Sequence, residues 1–212
     1  MELSRTIGEI ELFANMAEKG EWLKTAVREQ NKKTSQSTLH TENIPIGPVL
    51  VIGACNFPIA ISVVGTDTIS ALAVGCPVIV KAHPGHPKTC QFLAAIVLIA
   101  EKKSQIPKDT FQLIHGEKYE VTQKLVVHPD ISCVAFTGSL AGGKALSEIV
   151  FNRKIPIPFH AEMGSINPIV ALPGKISENH NKLAVDYVQA VNLFSGQMCT
   201  KPGVIFLLKS KK

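Results

Sequence analysis

The chain has 212 residues, 45% of them hydrophobic and 18% charged, with a net charge of +5. That length holds one good-sized domain, or one domain and part of another, and the composition is that of an ordinary globular protein. The basic excess sits in short runs (Lys32-Lys33, Lys102-Lys103, and Lys209 with Lys211 and Lys212) without interleaved aromatics, which argues against nucleic-acid binding.

The five cysteines are odd in number and widely spaced, with no Cys-x-x-Cys pair. This excludes a disulfide framework and a zinc knuckle and fits a reducing compartment, so a cytoplasmic location is expected. Cys55, Cys76, Cys90 and Cys133 lie in apolar surroundings and are expected to be small buried hydrophobes. His83 and His86 flank prolines, and no further ligand candidates accompany them, so no metal site is expected. The N-terminus is charged throughout, without the apolar core of a signal peptide. The richest apolar run, "CQFLAAIVLIA", has 11 residues, short of the ~18 that span a bilayer, so no membrane association is expected.

Residues 1–33 carry helical periodicity, with a break at Gly20 that predicts two helices. The polar stretch "NKKTSQSTLHTENIP" is a loop or a short exposed strand. At Pro48 the pattern changes. "VLVIGA" is a continuous β-branched run, the signature of a strand buried on both faces. "PIAISVVGTDTISALAVG" predicts a helix of small residues, with Pro58 near its first turn. "PVIVKA", "FQLIHG" and "SCVAFTG" are further strands. "PKTCQFLAAIVLIAEKK", "YEVTQKLVVH" and "LAGGKALSEIVFN" are the helices that follow them. Strand and helix alternate four times, which predicts an α/β fold with a doubly wound parallel (Rossmann-like) sheet. "PIPFHAEMG" and "NPIVALP" add two strands, and "ENHNKLAVDYVQAVNLFSG" a last helix. The expected division is an N-terminal helical segment at 1–40, a Rossmann-like domain at 41–198, and a closing stretch at 199–212.

In an open parallel sheet the carboxyl ends of the strands face the ligand crevice. Asn56, after the first buried strand, is there either an amide donor to a developing oxyanion or a helix N-cap. Lys81 closes the second strand, either as a contact to ribose or phosphate or as a solvated strand end. Gly138 and Ser139 open a helix, where backbone N–H groups and the helix dipole favour a pyrophosphate; a structural turn is an equal contender. Glu162 lies within an apolar strand. Desolvation there would suit it to general-base work, and pairing with a basic residue is the alternative. Cys199, in "GQMCTKPG", reads as either a nucleophile or a structural buried thiol.

Taken in order, "PIGPVLVIGACNFP", "ALAVGCPVIVKAHP", "FTGSLAGG", "AEMGSINP" and "GQMCTKPG" resemble the successive signatures of the aldehyde dehydrogenase superfamily. "KAHPGHPKT", "AEMGSINPIVALPG" and "GQMCTKPG" are most similar to its 2,5-dioxovalerate (2-oxoglutarate semialdehyde) dehydrogenase branch. The resemblance runs from about Arg5 to Gly203. It implies oxidation of an aldehyde to a carboxylic acid with NADP or NAD. Cys199 would be the nucleophile, Asn56 the side-chain donor of the oxyanion hole, and Glu162 the base that activates water. Lys81 would contact the adenosine ribose. Gly138, Ser139 and Gly142 would lie against the pyrophosphate. Pro84 stands where NAD-preferring relatives often carry a glutamate, which tilts the expectation toward NADP. Family members are longer and form homo-oligomers, so the chain is expected to be a fragment. It would be poorly active or inactive alone, or a remnant that binds dinucleotide only, and it need not oligomerise.

Overall fold

The computed structural model describes residues 1–28 and 37–208, which divide into two compact units, Met1–Glu162 and Met163–Lys212. The runs at Lys32-Lys33 and Lys209–Lys212 lie outside the described residues.

The first unit opens with α1 (Glu2–Glu18), which ends at Gly20, in the left-handed region at φ +66°. Among the described residues, the second N-terminal helix expected from periodicity does not form. Beyond Gly20 there is a single 3-10 turn, Glu21–Leu23, and then β1 (Ala26–Arg28), paired antiparallel with β2 (Leu39–Thr41). Both strands are exposed on every residue. Trp22 and Leu23 therefore lie in the 3-10 turn and Val27 in a two-strand ribbon, and none follows the helical period that their spacing suggests.

The core is a five-stranded parallel sheet of β3 (Val49–Ile52), β4 (Val78–Lys81), β5 (Phe111–Ile114), β6 (Cys133–Thr137) and β7 (Phe159–Glu162). Its order is β5-β4-β3-β6-β7, with the first strand of the sheet at the centre, as the doubly wound reading requires. The connecting helices are α2 (Thr66–Ala73), α3 (Pro87–Lys103), α4 (Tyr119–Val127) and α5 (Leu140–Phe151). Right-handed crossovers put α2 and α3 on one face and α4 and α5 on the other. The period-2 side-chain alternation agrees. Val49, Val51, Val78, Val80, Cys133 and Ala135 pack with Cys90, Leu93 and Ala94 of α3. Leu50, Val134 and Phe136 are buried toward the opposite face, as are Val126 of α4 and Leu146 and Val150 of α5.

One helix is shorter than expected. α2 starts at Thr66, and Phe57–Val64 forms turns. Close backbone contact dictates this. A side chain at Gly53 would fall on the Ile61 carbonyl, and one at Gly65 would meet the Ala60 carbonyl at 2.6 Å. The segment folds back over the end of β3 instead of winding from Pro58.

The second unit is a β-α-β arrangement. β8 (Pro168–Ala171) and β9 (Val204–Leu207) pair in parallel, joined by α6 (Pro173–Asn192). α6 is broken at Asn179, whose backbone is non-helical and whose side chain accepts from the Lys182 N–H at 2.8 Å. The continuous helix therefore starts with an Asn cap close to Glu178, where the sequence places it. No helix among the described residues is long and apolar enough to cross a membrane.

Candidate active site

The sheet of the first unit lines up its strand ends. Ile52 pairs with both Lys81 and Phe136, Lys81 also pairs with Ile114, and one step further Thr137 pairs with Glu162. β3 is the strand from which the chain order runs outward both ways, so the crevice at its carboxyl end is the position where such sheets take ligands. Asn56, Lys81, Pro84, Gly138, Ser139, Gly142 and Glu162 all belong to this edge.

Asn56 sits in the turns after β3, half-buried. No helix begins beside it, so the N-cap alternative does not hold. Its loop is anchored from a distance. The Glu2 carboxylate of α1 accepts from the Ile59 and Ala60 N–H groups at 2.7 and 2.9 Å. Phe57 is buried, and the Arg5 guanidinium stands 5.7 Å from its ring centre. Neighbouring Cys55 is exposed, contrary to its expected burial; the turn that replaces the first part of the helix leaves it at the rim.

Lys81 is only 8% exposed, and no carboxylate forms an ion pair with it among the described residues. Burial holds its ammonium below the ordinary lysine range, partly opposed by Cys90. Its side chain is enclosed along its length, and the ammonium at its tip is left for an anionic or hydroxylated partner at the ligand edge or for solvent. Beyond Lys81 the chain forms one wall of a pocket of about 280 Å³, lined by His83, Pro84, Pro87, His115 and Glu117 among others. The His83 ring stacks on His86 at 5.4 Å. Burial first, and then the charges of His86 and Lys81, hold His83 below the usual histidine range.

His115 and Glu117 are pocket residues that sequence reasoning passed over. The signal was available: "HGEK" follows the apolar "FQLI" directly, and β5 is the neighbour of β4 in the sheet. Glu117 brings a carboxylate to the wall that Pro84 leaves uncharged.

At the end of β6, Ser139 is the N-cap of α5, and its hydroxyl accepts from the Gly142 N–H at 3.1 Å. The first turn of α5 holds no acidic residue. The other early N–H groups have no acceptor within the helix, so the end is suited to an anion. Gly138 donates to the Glu162 carbonyl at 3.0 Å, tying the ends of β6 and β7 together. A side chain at Gly138 would strike the Phe136 ring. The Glu162 side chain is exposed, not desolvated as its apolar strand suggests, because β7 is the edge strand.

Cys199 belongs to the second unit. It is half-buried in the turn that follows the 3-10 segment Leu193–Gly196, and its carbonyl is held by Ser165 and Asn167. Among the described residues no group of three or more His, Cys, Asp or Glu side chains is placed to hold a metal ion.

The aldehyde dehydrogenase family model matches residues 1–212. The chain belongs to the aldehyde dehydrogenase family. Two curated relatives are similar along nearly all of it. The alpha-ketoglutaric semialdehyde dehydrogenase of Acinetobacter baylyi is 43% identical over 213 residues, covering 99% of this chain and 40% of the relative. Alpha-ketoglutaric semialdehyde dehydrogenase 2 of Azospirillum brasilense is 40% identical over 210 residues, covering 98% of this chain and 40% of the relative. Among solved structures, the putative aldehyde dehydrogenase PutA of Anabaena variabilis superposes with a TM-score of 0.79 at 27% identity, over 97% of this chain and 40% of that one. This aldehyde dehydrogenase chain thus spans about 40% of the length of the curated relatives it matches.

Proposed function

We propose that the chain carries the dinucleotide-binding part, and the nucleophile, of an aldehyde dehydrogenase that oxidises 2-oxoglutarate semialdehyde to the dicarboxylate with NADP or NAD. The observation that carries this reading is the Lys81 side chain, enclosed up to its ammonium and without an ion-pair partner among the described residues, on the same sheet edge as the acid-free N-terminus of α5. The two groups fit a dinucleotide, Lys81 to its ribose or phosphate and the first turn of α5, with Gly138, Ser139 and Gly142, to its pyrophosphate. These groups all fall within residues 41–198, the proposed dinucleotide-binding domain. Pro84 leaves one wall of the pocket uncharged, which favours a 2′-phosphate, and Glu117 opposes it, so a preference for NADP over NAD is expected to be moderate.

In the proposed chemistry the Cys199 thiolate attacks the aldehyde carbon and forms a thiohemiacetal. The carboxamide of Asn56 and the Cys199 backbone N–H stabilise its oxyanion. The bound dinucleotide supplies a hydride acceptor. Glu162 takes a proton from the water that attacks the resulting thioester, releasing the carboxylic acid and restoring the thiolate. The substrate follows from the two semialdehyde dehydrogenases that are similar along almost the whole chain.

Calorimetry with NADP and NAD tests the binding half of the proposal. The chain is expected to bind one dinucleotide, and Lys81→Ala to weaken it at least about tenfold, the worth of one charge-assisted hydrogen bond. Unchanged affinity in the Lys81→Ala chain would sink the assignment.

A further inference from the structure

In the second unit the loop that carries Cys199 is pinned by the turn that precedes β8. The Asn167 carboxamide nitrogen donates to the Cys199 carbonyl at 2.6 Å and to the Lys201 carbonyl at 3.0 Å, and lies 3.0 Å from the Ser165 hydroxyl oxygen. The Ser165 hydroxyl donates to the same Cys199 carbonyl, which thus receives two hydrogens. Two residues on, the Gly203 N–H donates to the Ile166 carbonyl at 2.6 Å, and a side chain at Gly203 would meet that oxygen at 2.5 Å. The contacts fall at 199, 201 and 203, every second residue, and lead directly into the pairing of Pro168 with Val204. Asn167 makes its part of the clamp from the left-handed region, at φ +49°, a conformation that asparagine tolerates better than most side chains.

We infer that Asn167, assisted by Ser165, is a positioning residue for the Cys199 nucleophile. The inference rests on the reading of Cys199 given above. The clamp engages the carbonyl, the one backbone group of Cys199 that the proposed chemistry does not use. It fixes the peptide plane after Cys199 and leaves the thiol and the N–H to the substrate. A carboxamide is suited to this task because one NH2 group supplies two hydrogens and reaches two carbonyls of a single turn. An aspartate of the same shape would instead present oxygen to oxygen.

The test uses the full chain with two variants, Asn167→Asp and Ser165→Ala. It reads hydrogen exchange of the peptides covering 198–203 and the pH profile of Cys199 alkylation by iodoacetamide, mapped by mass. In the Asn167→Asp chain, loop exchange is expected to rise about tenfold, the worth of one to two hydrogen bonds. The alkylation midpoint is expected to move upward by roughly half a unit, because a carboxylate placed beside Cys199 disfavours the thiolate. That midpoint reports only that residue 167 lies beside Cys199; the positioning role is read from the exchange. Ser165→Ala removes one donor without adding charge, so exchange is expected to rise about threefold with an unmoved midpoint. It also decides the matter if Asn167→Asp fails to fold. Wild-type exchange of the 198–203 peptides in the Ser165→Ala chain, or in a folded Asn167→Asp chain, overturns the positioning role. If the wild-type chain is alkylated at Cys55 ahead of Cys199, the nucleophile reading itself falls, and the positioning role with it.

Discussion

Asp67 shows how a single carboxylate can work against the fold that contains it. It lies in the first turn of α2, where the helix dipole favours a negative charge, yet burial raises its pKa, with His160 pulling the other way. The folded chain therefore holds the proton to a higher pH than the unfolded chain does. Between the ordinary carboxylate value and the raised one, the native state binds more protons, so stability falls as pH rises through that window. Above that window the full cost of the buried charge is present. Asp67→Asn is expected to raise the thermal midpoint at pH 7, with the gain fading as pH falls toward 4; a midpoint that drops equally at both pH values would contradict it. Lys81 obeys the same linkage with the opposite sign. Its lowered pKa means that the cost of the buried ammonium is complete at neutral pH and is relieved as pH rises toward the ordinary lysine value. A group retained at such a cost on a ligand edge is better explained by what it binds than by what it stabilises. Cys133, pushed up to about 11 chiefly by burial, is the inert counterpart of Cys199 and of exposed Cys55.

The elements meet through contacts that a linear reading does not contain. Arg153, just past α5, sends its guanidinium to the carbonyls of Val126, His128 and Ile131, which tie the end of α4 to the start of β6. Arg153→Ala is expected to destabilise the chain by about 2 kcal/mol, the worth of hydrogen bonds from a charged donor. Arg153→Lys is expected to rescue little of this, since an ammonium lacks the planar fork. Urea unfolding measures both, and a loss below about 0.5 kcal/mol for Arg153→Ala would be too small for the clamp described. β3 and β4 were legible because a strand buried on both faces reads as an unbroken β-branched run, as in "VLVIG" and "PVIVK". α3 and α5 were legible from end signals, Pro87 and Lys102-Lys103 in one and Ser139 in the other. The start of α2 was not, because Pro58–Val64 has the composition of a helix and is turned by backbone contact between Gly53 and Ile61, remote in neither sequence nor space but invisible to periodicity. The ribbon of β1 and β2 was missed because three-residue strands carry too little pattern. At the site, Lys81, Ser139 and Asn56 followed from their place at strand ends. His115, Glu117 and the Asn167 clamp depend on which strands and turns become neighbours.

At the scale of the molecule, the groups assigned to the dinucleotide belong to Met1–Glu162 and the nucleophile to Met163–Lys212. Binding and covalent chemistry are thus expected to be separable. Cys199→Ala should leave NADP affinity within about twofold, as expected for sites without shared partners, while abolishing alkylation at that position. A tenfold loss of affinity would show that the thiol takes part in binding. The loop around Cys199 has a further property. Before it, Phe194, Ser195 and Gly196 follow one another with φ of +50°, +57° and +71°. The two side-chain-bearing residues each hold a conformation that costs on the order of 1–3 kcal/mol. After it, residues 199, 201 and 203 are fastened to the turn before β8. The thiol therefore sits between a coiled spring and an anchor. A tug along α6 would be spent first in straightening the left-handed residues, of which Phe194 and Ser195 gain by being released.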